Sequence, residues 1–127
     1  VLSCSVGYEK RSSYLQMDGQ EVFKFALKTV PDCIEEDLEK GNIEKEKVKY
    51  YVLHQANSRI LSGVAKKLRE KEEKFPMNIQ KYGNTSAASI PILLDEMSRE
   101  GKLEKGDILV LAGFGAGLTW GSTLLQW

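Results

Sequence analysis

Apolar residues recur at helical spacing over Val22, Phe23, Ala26, Leu27, Val30, Ile34 and Leu38, which predicts an amphipathic helix over 20–40 stopped by Gly41. Pro31 lacks an N–H and crowds the preceding turn, so it either kinks that helix or starts a second one. The run Val48-Lys49-Tyr50-Tyr51-Val52-Leu53 is β-branched and aromatic, too short for a helix and apolar enough for a buried strand ending at His54. A helix is expected from Asn57 to about Lys71, with Ile60, Leu61, Val64, Ala65 and Leu68 on its inner side. Its other side carries Arg59, Gly63, Lys66 and Lys67, a basic stripe. After the break at Pro76, a further helix follows Asn84-Thr85, with Ala87, Ile90, Leu93, Leu94 and Met97 inward and Gly101 as its stop. Asp107 to Leu111 and Thr119 to Trp127 read as strands around the glycine-rich turn 113–117, so a hairpin closes the chain. Near the start, Tyr14 to Asp18 reads as a short strand, and 1–13 as an irregular segment or frayed strand.

An internal echo supports this order. Gly41-x-Ile43-Glu44-Lys45 and Gly101-x-Leu103-Glu104-Lys105 match at a shift of 60, each between a helix and a strand. Strands alternating with helices predict an α/β layered fold, whose sites gather at strand ends.

Composition then bounds the class. Hydrophobic residues make up 42% and charged residues 28% of the 127, the mixture of one ordinary globular domain rather than a disordered or disulfide-knot chain. The 18 Lys+Arg balance 18 Asp+Glu, so no global field draws the molecule to nucleic acid or an anionic membrane, and a charged docking surface must be a local patch. The longest nearly apolar run, Ile108 to Leu118, is broken by glycines and falls short of the ~20 residues that span a bilayer. Two cysteines and one histidine make a structural zinc site hard to assemble, and no metal is expected. The chain opens on Val1 without a secretory leader, so a cytoplasmic location is expected, with Cys4 and Cys33 as plain thiols rather than a disulfide.

Three stretches carry candidate chemistry. Gly113-Phe114-Gly115-Ala116-Gly117-Leu118 invites a dinucleotide reading, but Leu118 stands where the third glycine belongs and a strand follows where a helix should. A tight turn, or a bare backbone whose N–H groups approach an oxyanion, fits better. His54, at a strand end, reads either as a hydrogen-bonded boundary residue or as a catalyst. Asn84-Thr85 reads either as a helix cap or as a carboxamide donor. Taken together, an imidazole N–H and a carboxamide N–H aimed at one oxygen would stabilise an enolate formed from a thioester. That set has no nucleophile of its own.

At these residues the sequence closely resembles the β-ketoacyl-acyl-carrier-protein synthase III family, condensing enzymes of the thiolase superfamily. His54-Gln55-Ala56-Asn57-Ser58-Arg59-Ile60 resembles the family's histidine motif, and Tyr82-Gly83-Asn84-Thr85-Ser86-Ala87-Ala88-Ser89 its asparagine motif, 30 residues further on. Gly113 to Gly121 resembles the closing loop, and Met17-Asp18-Gly19-Gln20-Glu21-Val22-Phe23-Lys24 an earlier element of the same half. A type III polyketide synthase shares the style of the closing loop, whereas His54-Gln55-Ala56-Asn57 favours the fatty-acid enzyme.

The resemblance implies a thiolase-like half, with layered helices on a mixed β-sheet ending in a hairpin. Residues 1–127 would be the C-terminal catalytic half, inactive without an N-terminal half that holds the nucleophilic cysteine. It implies an acyltransferase that joins acyl-CoA to malonyl-ACP without a cofactor and initiates fatty acid synthesis. His54 and Asn84 would stabilise the malonyl enolate, and the Ala116 N–H would serve the oxyanion hole. Ala116 departs from the usual glycine there, which spares a backbone donor. Gly19, Phe23, Ala56 and Asn57 align with the pantetheine tunnel, and Lys24, Arg59, Lys66 and Lys67 with the rim that docks the acyl carrier protein. The full-length enzyme would be a homodimer. Neither Cys4 nor Cys33 matches the nucleophile, and a non-catalytic carrier-protein or CoA-binding module would keep the same rim.

Overall fold

The computed structural model describes the backbone of residues 2–4 and 15–127 and the side chains from Asp18 onward. Strand β1 (Leu2–Cys4) pairs antiparallel with β2 (Leu15–Met17), so a strand stands at the start of the expected irregular segment. Residues 5–14 of that segment, and the Cys4 side chain, lie outside the described residues.

Helix α1 (Gly19–Gly41) starts where the Asp18 carboxylate accepts the N–H groups of Gln20 and Glu21, both at 3.1 Å. It runs through Pro31 as one element, so Pro31 does not start a second helix. Burying Val30, Ile34 and Leu38, at about 1.5–3 kcal/mol each, outweighs the roughly 3 kcal/mol of an interior proline. The helix does not stop on a left-handed Gly41. Asn42 takes that conformation (φ 52°), and its N–H and that of Ile43 return to Glu39 and Leu38. Gly41 serves close approach instead, because a Cβ there would stand 2.4 Å from Leu124 Cδ1.

Strand β3 (Val48–Leu53) lies parallel to β4 (Ile108–Gly115), which pairs antiparallel with β5 (Thr119–Gln126). This is a mixed three-stranded sheet in the order β3-β4-β5, ending in the expected hairpin. Val48 and Ile108, which follow the two echoed segments, are register partners, so each connection starts a strand at the same end of the sheet. Alternation along the strands sorts the core into two faces. Tyr51, Leu53, Val110, Ala112 and Phe114 pack with α1 and with α2 (Ser58–Leu68). Tyr50, Val52 and Leu111 pack on the other side, under α4 (Ser89–Arg99).

Two expectations shift and one element is new. Helix α2 ends at Leu68 rather than near Lys71, because Arg69 turns left-handed (φ 57°) and Glu70 is drawn to the Tyr51 hydroxyl at 3.4 Å. Between α2 and α4, the four-residue helix α3 (Ile79–Tyr82) is too short to show a period in the sequence. Helix α4 begins at Ser89, after a 3-10 turn over Ser86–Ala88, which leaves Ala87 exposed rather than inward.

Candidate active site

His54 stands one residue beyond β3, and its N–H extends the ladder by bonding the Ala112 carbonyl at 2.8 Å. By strand alternation its ring follows Tyr50 and Val52 toward α4. There its Nδ1 meets the Ser89 hydroxyl at 2.6 Å, and the Phe114 ring stands edge-on at 5.3 Å. Burial disfavours the imidazolium and holds the pKa below the ordinary histidine value, so the ring is neutral at pH 7. Behind it, Gln55 is fully buried. Its Nε2 donates to the Leu53 carbonyl at 2.9 Å and its Oε1 accepts from Asn78 N at 3.1 Å, tying the end of β3 to the segment before α3.

Asn84 does not cap α4. Its Oδ1 accepts the Ser86 N–H at 3.0 Å and steadies Ser86 in a left-handed conformation (φ 53°). With its oxygen engaged, this exposed carboxamide has no partner for its NH₂ donors among the described residues. The glycine-rich segment is the end of β4 and a hairpin turn, with no helix after it, which removes the dinucleotide reading. Gly117 needs its glycine, since φ is 137° and a Cβ would lie 2.7 Å from Thr119 Cγ2. Thr119 Oγ1 donates to the Ala116 carbonyl at 3.0 Å and fixes the turn.

His54, Asn84 and Ala116, drawn from three separate stretches, line one cleft of about 840 Å³, together with Ser89, Phe114 and the exposed Trp120. The arrangement gathers groups that carry N–H donors along one space with a largely apolar wall, and donors aimed at such a space suit an oxygen that gains negative charge. Sequence reasoning missed Ser89, Gln55 and Phe114. Ser89 closes the quoted asparagine motif, but nothing in its spacing signals contact with a ring 35 residues away.

The remaining candidates fall elsewhere. Phe23, Lys24 and Lys67 line a separate groove of about 400 Å³ between α1 and α2, and the Arg59 guanidinium lies 5.9 Å from the Phe23 ring centre. Arg59, Lys66 and Lys67 are exposed, while Gly63 of the same stripe faces α1, where Leu27 Cδ2 would meet its Cβ at 2.4 Å. Gly19 opens α1, Ala56 packs against the core, and Asn57 caps α2 by accepting Arg59 N at 2.8 Å; none of the three lines the two cavities. Cys33 is a free thiol on α1. Its Sγ lies 3.0 Å from Ser122 Oγ, which donates to Asp37 at 2.6 Å, so the thiol donates into that chain rather than lining the His54 cleft.

The chain is similar to a set of known proteins. Residues 38–127 match the family described as 3-oxoacyl-(acyl-carrier-protein, ACP) synthase III, C terminal. A β-ketoacyl-(acyl-carrier-protein) synthase III of Lactococcus lactis is 54% identical over 124 residues, covering 96% of this chain and 38% of that protein. One from Clostridium tetani is 52% identical over 116 residues, covering 91% and 35%. This chain thus spans little more than a third of the length of these relatives. The crystal structure of 3-oxoacyl-(acyl-carrier-protein) synthase III from Aquifex aeolicus superposes with a TM-score of 0.88 at 47% identity, covering 90% of this chain and 37% of that one. The priming β-ketosynthase from the R1128 polyketide biosynthetic pathway gives 0.90 at 32% identity, covering 98% and 40%. The fold is thiolase-like, and with the histidine and asparagine motifs on one cleft, the chain belongs to the 3-oxoacyl-(acyl-carrier-protein) synthase III C-terminal family.

Proposed function

We propose that the chain supplies the malonyl-handling half of a decarboxylating Claisen condensation that joins an acyl-CoA starter to malonyl-acyl-carrier protein and begins fatty acid synthesis. A cysteine thiolate on a companion half attacks the acyl-CoA thioester and expels the CoA thiolate. The malonyl thioester then loses CO₂; the broken C–C bond leaves its electron pair in an enolate, to whose oxygen His54 and Asn84 donate hydrogen bonds. The enolate carbon attacks the acyl thioester, the Ala116 N–H and the cysteine's own N–H hold the tetrahedral oxyanion, and its collapse releases the cysteine thiolate. The substrates carry this chemistry without a metal or cofactor. Gly19, Phe23, Ala56 and Asn57 flank the pantetheine arm, Lys24, Arg59, Lys66 and Lys67 receive the acidic carrier protein, and the complete enzyme works as a cytoplasmic homodimer.

The observation that carries this reading is the convergence of His54, with its imidazole neutral, Asn84 and Ala116 on one cleft. A second reading, priming of polyketide synthesis by the same chemistry, is favoured by the likeness to a priming β-ketosynthase and differs in the starter accepted. The test combines this chain with a separately expressed companion half that carries the cysteine. Malonyl-ACP decarboxylation and condensation are then measured. His54→Ala should abolish decarboxylation and spare most acyl transfer to the cysteine. A well-folded complex with neither activity contradicts the proposal and leaves a carrier-binding module in its place.

A further inference from the structure

We infer that Ser89 is a positioning residue that holds His54 in the Nε2–H tautomer and so aims a donor into the cleft. Ser89 is 2% exposed and is the first residue of α4, directly under the end of β3. Two groups approach its Oγ: the Gln55 N–H at 3.2 Å and His54 Nδ1 at 2.6 Å. The amide can only donate, so it takes a lone pair of the hydroxyl oxygen. The hydroxyl hydrogen then needs an acceptor, and among the described residues the one within reach is His54 Nδ1. A ring nitrogen that accepts carries no hydrogen, so the ring's hydrogen sits on Nε2. Nε2 has no protein partner among the described residues, and His54 lines the cleft. Burial keeps the ring neutral, so the choice between tautomers decides whether the cleft meets a donor or a lone pair. A lone pair would repel an enolate oxygen.

The catalytic consequence rests on the function proposed above; the tautomer does not. His54 is the chain's one histidine, so selective ¹⁵N labelling of histidine reports this ring alone. In wild-type protein at pH 7.5–8 (about one unit above the ordinary histidine pKa), Nε2 should resonate as the protonated, pyrrole-like nitrogen and Nδ1 as the pyridine-like one. Ser89→Thr, which keeps the hydroxyl, should preserve that pattern, and Ser89→Ala should admit the Nδ1–H form. A wild-type ring protonated on Nδ1, or a Ser89→Ala pattern identical to wild type, overturns the inference. The wild-type spectrum decides even where the alanine variant fails to fold. In the assembled enzyme, Ser89→Ala should lower kcat for decarboxylation about tenfold or more, since a lost oxyanion donor costs about 10²–10³. KM for malonyl-ACP should stay within about threefold, because the contact acts mainly in the transition state. Ser89→Thr should restore the rate, whereas a loss confined to stability would make Ser89 merely structural and overturn the positioning role. Decarboxylation absent from every version overturns the proposed function instead, and the spectra still decide Ser89.

Discussion

The His54 ring is held neutral by the same partial burial that aims it, and this ties the stability of the chain to pH. Its folded pKa lies below the ordinary value of 6.5, so the unfolded chain binds the proton first as the pH drops. The sign follows: stability is full above the ordinary value, and is lost as the pH falls from there through the lower folded pKa. Urea titrations of wild type should show stability declining across that window, while His54→Gln shows a flatter profile; parallel profiles would remove the burial argument. Gln55 offers a second test, since its side chain satisfies a backbone carbonyl and a backbone N–H in a fully buried position. Gln55→Leu should cost about 2 kcal/mol or more, from about 1–3 kcal/mol per orphaned group, read as a lower urea midpoint at unchanged slope.

At the level of elements, helices α1 and α2 meet where Gly63 admits the Leu27 side chain. Gly63→Leu should force the two apart and destabilise the chain by about 1–3 kcal/mol, measurable as a lower unfolding midpoint. The same face of α2 bears exposed Arg59 and Lys66. If it docks the carrier protein as proposed, Arg59→Glu with Lys66→Glu should raise KM for acyl-carrier substrates at low salt far more than for small CoA thioesters. The gap should narrow as salt screens charges beyond about 10 Å at 0.1 M. The inner faces of α1 and α2 were legible because their apolar residues repeat with the helical period and the sheet buries them accordingly. Other boundaries were not, because a local cue competed with a tertiary one. Gly41 resembles a stop signal, yet it is set by Leu124 from β5, and Asn42 makes the turn. Asn84 resembles a cap, yet it closes its own turn at Ser86 and leaves α4 to begin at Ser89. Proline reads as a breaker at Pro31, where packing carries the helix through.

Across the whole molecule, the sheet separates a large apolar layer under α1 and α2 from a smaller one under α4, and the cleft opens where β3, β4 and the start of α4 end together. This is why the three candidate residues could be grouped from their motifs but not placed in space: motifs fix identity and order, whereas parallel pairing of β3 with β4 fixes the distance between His54 and Ala116. It is also why Ser89 was invisible, since its partner becomes a neighbour only once α4 folds back over the sheet. The most direct test is the rate of CO₂ release from malonyl-ACP by this chain assembled with its cysteine-bearing companion, compared with His54→Ala and Asn84→Ala assemblies. Wild type should release CO₂, and each variant should fall by about 10²-fold or more, the usual cost of removing an oxyanion donor. Equal rates in all three would contradict the assignment of this cleft to the malonyl enolate.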